Sequence, residues 1–307
     1  METVGFIEEA MITIADKIFI AKLPFQTGCG WILYTEQECI RNRHYIDLYC
    51  KAGDTYGIIM IPGIYQPPKD WDTKAKYRLK QFIDQAKPAF IINRTRDYLL
   101  SKAFEMFGIP VYNHSLVARL GNDKADACRF MQQREIPMMP TSYGLQTPKQ
   151  FPVVVKSAGG HGGSEVFYIT DKSKWQDWKH EQYIQGQNYI VQQPASELGR
   201  DLRVYIVGNR ITASILRTSN QDFRSNYCLG GKEELYKLSE EQKTLVKTVI
   251  APLDIGMAGI DFIFHHGQMM FNEIEDMAGA RGLYELSDYD IARDYVEYIY
   301  THRFSRM

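Results

Sequence analysis

The stretch FNEIED at residues 271–276 decides the fold. It follows IDFIF at 260–264, a run of β-branched and aromatic residues, and HHGQ at 265–268, which supplies a turn. Two such runs joined by a short polar segment predict a β-hairpin. Carboxylates placed inside a hairpin that is otherwise apolar need a physical reason to be there.

Three carboxylates share one face of this hairpin. Side chains alternate along a strand, so Glu273 and Glu275 face the same way, and with Gly267 at the centre of the turn Asp261 lies directly opposite Glu273. Like charges at this spacing repel unless cations lie between them, and hard oxygen ligands suit Mg²⁺ or Mn²⁺. We therefore predict a divalent-metal site, and we expect that neutralising one carboxylate leaves the fold intact. Salt-bridged or edge-strand carboxylates are the alternative.

Length and charge exclude several classes of partner. The 307 residues are enough for two or three lobes with substantial cores. Lys and Arg number 36 and Asp and Glu 37, so no net charge attracts nucleic acid or an anionic membrane surface. We expect small-molecule partners, no nucleic acid and no membrane.

Cysteine usage and the first residues indicate the compartment. Five cysteines, an odd number with no C-x-x-C pair or zinc spacing, argue against a secreted disulfide framework. The chain begins with acidic rather than basic residues, and no apolar run reaches membrane-spanning length. We expect a cytoplasmic protein without an export signal or anchor.

The first third of the chain alternates strands and helices. A strand at 31–34 and a helix at 36–49 precede an apolar strand at 57–61, which Pro62-Gly63 should stop. A strand at 90–92 follows, and Asp97 caps a helix that ends at Gly108. Strand, helix, strand, helix implies a parallel sheet.

A glycine-rich connection, GGHGG at 159–163, follows a strand that ends in Lys156. Its backbone N–H groups, around Gly160, His161 and Gly162, are unobstructed and suit phosphate oxygens. The pattern G-x-x-x-x-G-K-[ST] is absent, so this is not a P-loop. An ordinary mobile turn is the alternative.

Four cations are candidates to hold a triphosphate: Lys124, Lys156, Arg217 and Arg224. Arg224 belongs to DFRSN at 222–226, where a planar cation and two polar residues suit phosphate recognition. Taken singly, each of these cations could instead be a solvated surface charge.

Taken together and in this order, the motifs resemble those of ATP-grasp enzymes, and in detail those of the RimK-type amino-acid ligases. The resemblance covers about residues 90–285, and DFRSN followed by Gly230-Gly231 is its most specific part. It implies an α/β and α+β architecture, with a Rossmann-like domain followed by two α+β lobes that grip ATP. We divide the chain into a domain at 1–115, a small lobe with the glycine-rich lid at 116–187 and a large lobe with the metal site at 188–307.

The resemblance also implies roles for individual residues in binding ATP. Lys156 would reach the adenine edge and the α-phosphate. The Gln193 carbonyl and the Ala195 N–H would pair with adenine, on either side of Pro194, which has no N–H to offer. Asp201 would hold ribose.

The remaining implied roles concern the phosphates and the metals. Arg224, Ser225 and Asn226 would bind the terminal phosphates and the developing acyl phosphate. Arg224 and Arg217 would be the catalytic residues, and the three hairpin carboxylates would hold two Mg²⁺ ions. The chain departs from the ligases at Glu275, where they commonly have asparagine. It also departs at DMAGAR, residues 276–281, where they have a loop containing Ser-Pro-Gly.

Four arginines are candidate substrate ligands. Arg281 lies in the departing loop and Arg203 in the DLR segment next to Asp201. Arg94 and Arg96, at the mouth of the N-terminal domain, are candidate anchors for an acidic substrate, with surface ion pairs as the alternative.

The activity that the resemblance implies is ATP-dependent joining of a carboxylate to an amine through an acyl phosphate. The substrates would be small molecules such as an amino acid or a short peptide, and a homo-oligomer is compatible with the sequence. A small-molecule kinase and a nucleotide-binding module without turnover are the alternatives. The sequence does not identify the substrates, because loops hold them.

Overall fold

The computed structural model describes residues 12–14, 29–160, 165–181, 186–219, 222–224 and 231–304. The chain forms two compact units. The first reaches to Ala118 and also takes in Asp254–Met257 and the residues from Asp290 onward. The second comprises Arg119–Leu253 and Ala258–Tyr289.

The first unit contains a five-stranded parallel sheet, as the alternation of strands and helices predicts. Its spatial order is β1-β3-β2-β4-β5. The strands are β1 (Ile12–Ile14), β2 (Gly30–Tyr34), β3 (Met60–Tyr65), β4 (Phe90–Asn93) and β5 (Val111–Tyr112).

Among the described residues, five helices belong to the first unit, and a sixth carries the chain out of it. They are α1 (Glu36–Arg41), α2 (Arg43–Thr55), α3 (Thr73–Ala86), α4 (Tyr98–Met106) and, near the C-terminus, α10 (Ile291–Arg303). The chain passes from the first unit to the second within α5 (Ser115–Asn122). The predicted cap is confirmed, because the Asp97 side chain accepts from the backbone N–H groups of Leu99 and Leu100 at the start of α4.

The core of the first unit lies where helices pack on the sheet. Trp31 and Leu33 of β2 are fully buried together with Phe82 of α3 and Phe104 of α4. The Trp31 and Phe82 rings meet edge to face with centroids 5.3 Å apart. Residues of β2 are buried on both faces, as expected of a central parallel strand.

The prediction that Pro62-Gly63 ends a strand was wrong. Strand β3 runs through both residues to Tyr65. Pairing with β1 begins only at Gly63, opposite Ile12, so Pro62 precedes that ladder and its missing N–H disturbs it little. The bare Gly63 also admits the neighbouring strand, since a Cβ there would lie 2.9 Å from a methyl group of Leu33.

Helix α10 returns to the first unit and packs on α2. The Tyr49 and Tyr295 rings meet edge to face at 5.8 Å, and those of Tyr56 and Tyr300 stack at 5.3 Å. The division made from the sequence, which kept residues 188–307 in one lobe, did not anticipate this return. The boundary between the small and large lobes stays a prediction.

The second unit contains two sheets. One has the order β6-β9-β7-β8 and the other β12-β11-β10-β13-β14. The strands are β6 (Thr141–Tyr143), β7 (Val153–Ser157), β8 (Val166–Ile169), β9 (Tyr189–Gln192), β10 (Arg200–Val207), β11 (Arg210–Thr218), β12 (Lys232–Leu235), β13 (Met257–His265) and β14 (Gln268–Glu275). The helices are α6 (Lys124–Gln132), α7 (Lys172–Glu181), α8 (Glu240–Ile250) and α9 (Arg281–Leu286).

No helix within the described ranges is long and apolar enough to cross a membrane.

Candidate active site

The β13–β14 hairpin pairs Asp261 with Glu273, as predicted, but the turn and the strand register that produce this pair differ from those predicted. The turn contains two residues, His266 and Gly267, both with positive φ, and His265 pairs with Gln268. The prediction that Gly267 is the centre of the turn was wrong. A two-residue turn with regular pairing would place Asp261 opposite Asn272 instead.

A β-bulge at Asn272 restores the predicted pair. Phe262 pairs with Phe271 and Asp261 with Glu273, so Asn272 is the extra residue of the bulged strand. The burial pattern of β14 also reflects the bulge. In a regular strand, residues that share a face are an even number of positions apart, yet Phe271 and Ile274 are both buried although they are three residues apart. Two irregularities therefore cancel, and Asp261 faces Glu273.

Asp261 is the most deeply buried carboxylate of the site, and two arginines hold it. Arg203 donates from Nε to Oδ1 and from Nη2 to Oδ2, both at 2.7 Å, and Arg217 donates to Oδ2 at 2.8 Å. Only 1% of the Asp261 side chain is exposed. Arg217 also grips both carboxylate oxygens of Asp201, at 2.6 and 2.8 Å.

These contacts correct the expected effect of neutralising Asp261. Burial alone would raise the pKa of Asp261, but the guanidinium groups of Arg203 and Arg217 hold it well below its usual range. The carboxylate is thus balanced by buried cations rather than opposed by like charges alone. Removing its charge leaves those cations uncompensated, so we no longer expect the fold to tolerate this change without cost.

Glu273 and Glu275 are more accessible, with about a quarter of each side chain exposed. Lys124 Nζ lies 3.5 Å from Glu273, and Arg203 Nη2 lies 3.9 Å from Glu275. Burial raises the pKa of Glu275, as do the nearby negative charges of Glu273 and Asp261, while Arg203 lowers it. Crowded, partly buried carboxylate oxygens of this kind fit a hard divalent cation.

The carboxylates are not arranged as a complete metal cage. Within the part of the chain that the structure describes, no three His, Cys, Asp or Glu side chains are grouped so that they could hold a metal ion. Both Asp261 oxygens are instead bonded to arginines. The donor chemistry of Asp261, Glu273 and Glu275 suits Mg²⁺, and their role as its ligands stays a prediction.

Two lysines approach the hairpin from the neighbouring sheet and helix. Lys156 of β7 is buried and donates to the Asn272 Oδ1 at 2.7 Å. Burial lowers the pKa of Lys156, whereas Glu273 raises it. Lys124 donates to the Gly160 carbonyl, so one cation connects the glycine-rich connection with the hairpin.

The start of α6 explains the position of Lys124. Asp123 caps the helix by accepting from the Asp126 N–H, and the Lys124 N–H donates to the Ala158 carbonyl at 2.8 Å. The first residue of the helix is therefore fixed to the chain just after β7. A helix beginning at this position brings the Lys124 side chain to Gly160 and Glu273.

Asn272 was missed by sequence analysis. It is the bulged residue, and its amide oxygen orients the Lys156 ammonium group. A period-two interpretation assigns position 272 to the opposite face from Glu273, so the regular pattern hides it. The signal that could have revealed the bulge is a conflict of register: a two-residue turn with regular pairing aligns Asp261 with Asn272, whereas the carboxylate cluster requires Asp261 opposite Glu273.

Arg224 also has an aspartate partner. Asp222 Oδ1 accepts from the Arg224 Nε at 3.0 Å, and Asp222 Oδ2 accepts from Nη2 at 2.8 Å. The hydrogen bond from Arg224 lowers the pKa of Asp222. The predicted phosphate ligands His161, Gly162, Ser225 and Asn226 lie outside the described residues.

The predicted adenine segment follows β9 directly. The Gln193 N–H donates to the Pro140 carbonyl at 3.1 Å. The pairing of the Gln193 carbonyl and the Ala195 N–H with adenine stays a prediction. After Pro194 and Ala195, the Ser196 N–H donates to the His265 Nδ1 at 3.2 Å. The segment is thus tied to the tip of the β13–β14 hairpin.

The structure distributes the four candidate substrate arginines differently. Arg203 lies in the carboxylate cluster of the second unit, whereas Arg281 is exposed at the first position of α9. Arg94 and Arg96 belong to the first unit and follow β4. The alternative of a surface ion pair was wrong for Arg94, which is only 5% exposed.

Comparison with known proteins gives a consistent result. A family model described as the RimK-like ATP-grasp domain matches residues 134–299. The chain is 32% identical over 295 residues to a Mycoplasma pneumoniae protein named "Uncharacterized protein MG011 homolog", covering 92% of this chain and 96% of that protein. It is 27% identical over 217 residues to a "Probable alpha-L-glutamate ligase" of Methanococcoides burtonii, covering 64% of this chain and 69% of that protein.

A solved structure agrees with the predicted architecture. A RimK domain ATP-grasp protein from Sphaerobacter thermophilus superposes with a TM-score of 0.67 at 17% identity, covering 87% of this chain and 98% of that one. Similarity at this level of identity concerns the fold alone. The fold class predicted from the sequence is confirmed.

Proposed function

The chain belongs to the family of RimK-like ATP-grasp proteins, and from this premise we propose that it is an ATP-dependent carboxylate–amine ligase. The reaction joins a small-molecule carboxylate to an amine, giving an amide or peptide bond. Relatives of the chain are named probable alpha-L-glutamate ligases, so L-glutamate is the first substrate to test.

One observation carries the proposal: the side chains of Lys124 and Lys156 lie beside the carboxylates of the β13–β14 hairpin. Lys156 contacts Asn272, and Lys124 contacts both Glu273 and the end of the glycine-rich connection at Gly160. Cations of this kind suit phosphate oxygens, and the carboxylates beside them suit the metal ion that accompanies a nucleotide. A site for MgATP needs both groups together.

ATP is required because a carboxylate does not acylate an amine unaided. Its oxide is a poor leaving group, and transfer of the terminal phosphoryl group to the carboxylate converts it into phosphate. The amine then attacks the acyl carbon, the new C–N bond forms, and inorganic phosphate leaves. The products are ADP, phosphate and the amide.

The side chains of this site act by position and charge. Lys124 and Lys156 would hold phosphate oxygens, and Arg217 and Arg224 would stabilise the transferring phosphoryl group. Stabilising developing negative charge with fixed cations is the main task of a phosphoryl-transfer site. Arg217 is already oriented by its bidentate contact with Asp201.

Asp261, Glu273 and Glu275 would hold Mg²⁺, which supplies charge neutralisation between phosphate oxygens when it is bound.

The decisive experiment follows an oxygen label from the substrate carboxylate. A screen for ADP release over pairs of amino acids and small acids, beginning with L-glutamate, identifies a substrate pair. With ¹⁸O in the carboxylate, we expect the label in released phosphate and a hydroxamate when hydroxylamine is added. A stable phosphorylated product with unlabelled phosphate would identify a kinase and refute the ligase proposal.

A substitution tests the nucleotide contact separately. Lys156→Met keeps most of the length of the buried side chain and removes its charge, so we expect a tenfold to hundredfold loss of MgATP affinity, about 1.5–3 kcal/mol. Lys80→Ala, at a half-exposed position of α3, is the matched control and should leave affinity unchanged. Equal affinity in both variants would show that Lys156 does not contact the nucleotide.

A further inference from the structure

The order of strands in the first unit identifies one edge of its sheet as special. From β2 the chain moves to β3 on one side, then returns to β4 on the other side of β2. The direction of winding therefore reverses between β2 and β4. In open parallel sheets, ligands bind outside the carboxyl ends of the strands at such a point.

Arginines occupy the carboxyl end of β4 at this point. The Arg94 N–H donates to the Leu33 carbonyl at 2.8 Å, so the ends of β2 and β4 remain joined beyond the last paired residues. Arg94 is buried close to Tyr34, the last residue of β2. Arg96 follows two residues later and is partly exposed.

Arg96 has a left-handed backbone conformation, with φ at 64°. This region is unfavourable for a side chain of this size, and glycine would adopt it without strain. A turn that served only to connect β4 with α4 would therefore be better made with glycine. The presence of arginine indicates a use for its side chain.

The residues around Arg96 hold this conformation in place. Asn93 Oδ1 accepts from the Thr95 N–H at 3.0 Å and from its hydroxyl at 2.7 Å, while Asn93 Nδ2 donates to the Asp97 carbonyl at 3.0 Å. The Asp97 carboxylate accepts from the Tyr65 hydroxyl and from the Trp71 indole. The loop is therefore rigid on both sides of Arg96.

The Arg96 guanidinium retains hydrogen-bonding capacity. Its Nε is buried, and that atom has no hydrogen-bond partner among the described residues. A buried donor without a protein acceptor is costly, and an oxyanion would satisfy it. The planar guanidinium matches the two oxygens of a carboxylate.

We propose that the carboxyl ends of β2 and β4 form a binding site for a substrate carboxylate, with Arg96 as its ligand. The buried charge of Arg94 adds favourable potential for an anion at the same edge. The choice of a carboxylate over a phosphate rests on the proposed ligase function; the anion site itself rests on the first unit alone.

The test measures binding of carboxylates to the full chain without ATP. L-glutamate, L-aspartate, D-alanine and succinate are titrated by calorimetry against the wild type, Arg96→Gly and Arg96→Lys, with inorganic phosphate as a separate probe. We expect at least one carboxylate to bind the wild type, at least tenfold weaker binding to Arg96→Gly, and an intermediate effect of Arg96→Lys, which keeps the charge but not the fork.

Thermal unfolding distinguishes a ligand from a structural arginine. Because Arg96→Gly relieves backbone strain, its melting temperature should equal or exceed that of the wild type. Lys87→Gly is the matched control, since exposed Lys87 has φ at 43° in the same unit, and it should leave carboxylate binding unchanged. A lower melting temperature for Arg96→Gly, with carboxylate binding unaltered, would assign Arg96 a structural role and refute the site.

The other outcomes are equally decisive. If none of the four carboxylates binds, or if Arg96→Gly binds them as the wild type does, the proposal is wrong. Binding of phosphate alone would overturn the assignment of a carboxylate. Arg96→Gly should retain MgATP affinity. If the wild type binds a carboxylate through Arg96 but forms no amide with any substrate pair, the proposed function is refuted and this site is not.

Discussion

The arginines of the two units differ in how their charge is used. In the second unit, Arg203, Arg217 and Arg224 each donate at least two hydrogen bonds to aspartates. In the first unit, Arg96 is held by its backbone, and its Nε finds no acceptor among the residues that the structure describes. One region fixes its cations by charge pairing, and the other fixes a cation by loop geometry.

The difference teaches that the two regions should respond oppositely to neutral substitutions. Removing one member of a buried charge pair leaves the other charge buried without a partner. The resulting loss of folding free energy is far larger than the net contribution of the intact pair. Removing a strained side chain whose donor has no protein acceptor costs the fold little. The following predictions test this contrast, and hydrogen–deuterium exchange on peptides from each unit provides the local measurement.

The largest effect is expected for Asp261→Asn. Two buried guanidinium groups lose their common carboxylate, so the free energy of unfolding of the second unit should fall by about 3–5 kcal/mol. Exchange protection should drop in β10, β11 and β13 while β2 and β4 keep theirs. A variant as stable as the wild type would show that Arg203 and Arg217 do not depend on Asp261.

Acid should reproduce part of this loss. The folded pKa of Asp261 lies below its unfolded value, so its stabilising contribution is complete above the unfolded pKa of about 3.9 and is lost as pH falls toward the folded value. Stability of the second unit should therefore decrease below about pH 4. The decrease should be smaller in Asp261→Asn, and equal slopes in the two proteins would contradict the assignment.

A moderate effect is expected for Asp97→Ala in the first unit. The substitution removes the cap of α4 and the acceptor for Tyr65 and Trp71, so we expect a loss of about 2 kcal/mol. Asp97→Asn is the matched control because asparagine caps helices equally well, and it should lose less than half as much. Urea unfolding with exchange readout on α4 measures both.

The smallest effect is expected for Glu273→Gln. This side chain is 27% exposed and lies 3.5 Å from Lys124, so its ion pair should contribute about 0–1 kcal/mol to stability. We nevertheless expect turnover to be lost, because Glu273 is a proposed metal ligand. Calorimetric titration with MgATP and melting curves separate the two effects, and a variant with wild-type turnover would remove Glu273 from the metal site.

Local patterns predicted much of the fold. Alternation of apolar residues gave the strands of the hairpin, and the capping residue Asp97 marked the start of a helix. These features depend on residues close together in the chain.

The parts that could not be predicted depend on distant residues. Asp261 meets Arg203 and Arg217, which lie 58 and 44 residues earlier, and no local pattern shows that these donors converge on it. Pro62 was misread because its tolerance depends on where β1 begins to pair. The alternative of a surface ion pair for Arg94 failed because no local pattern shows that the residue after β4 is buried.

Because of the bulge at Asn272, the length of the turn and the number of residues in β14 together determine which residue faces Asp261. A turn of two residues and one extra residue in β14 together reproduce the alignment that a three-residue turn would give between Asp261 and Glu273. Neither irregularity is useful without the other. A chimaera that receives this turn but pairs Asn272 regularly would place Asp261 opposite Asn272 instead of Glu273, so transplantation of the site has to preserve the turn and the bulge together.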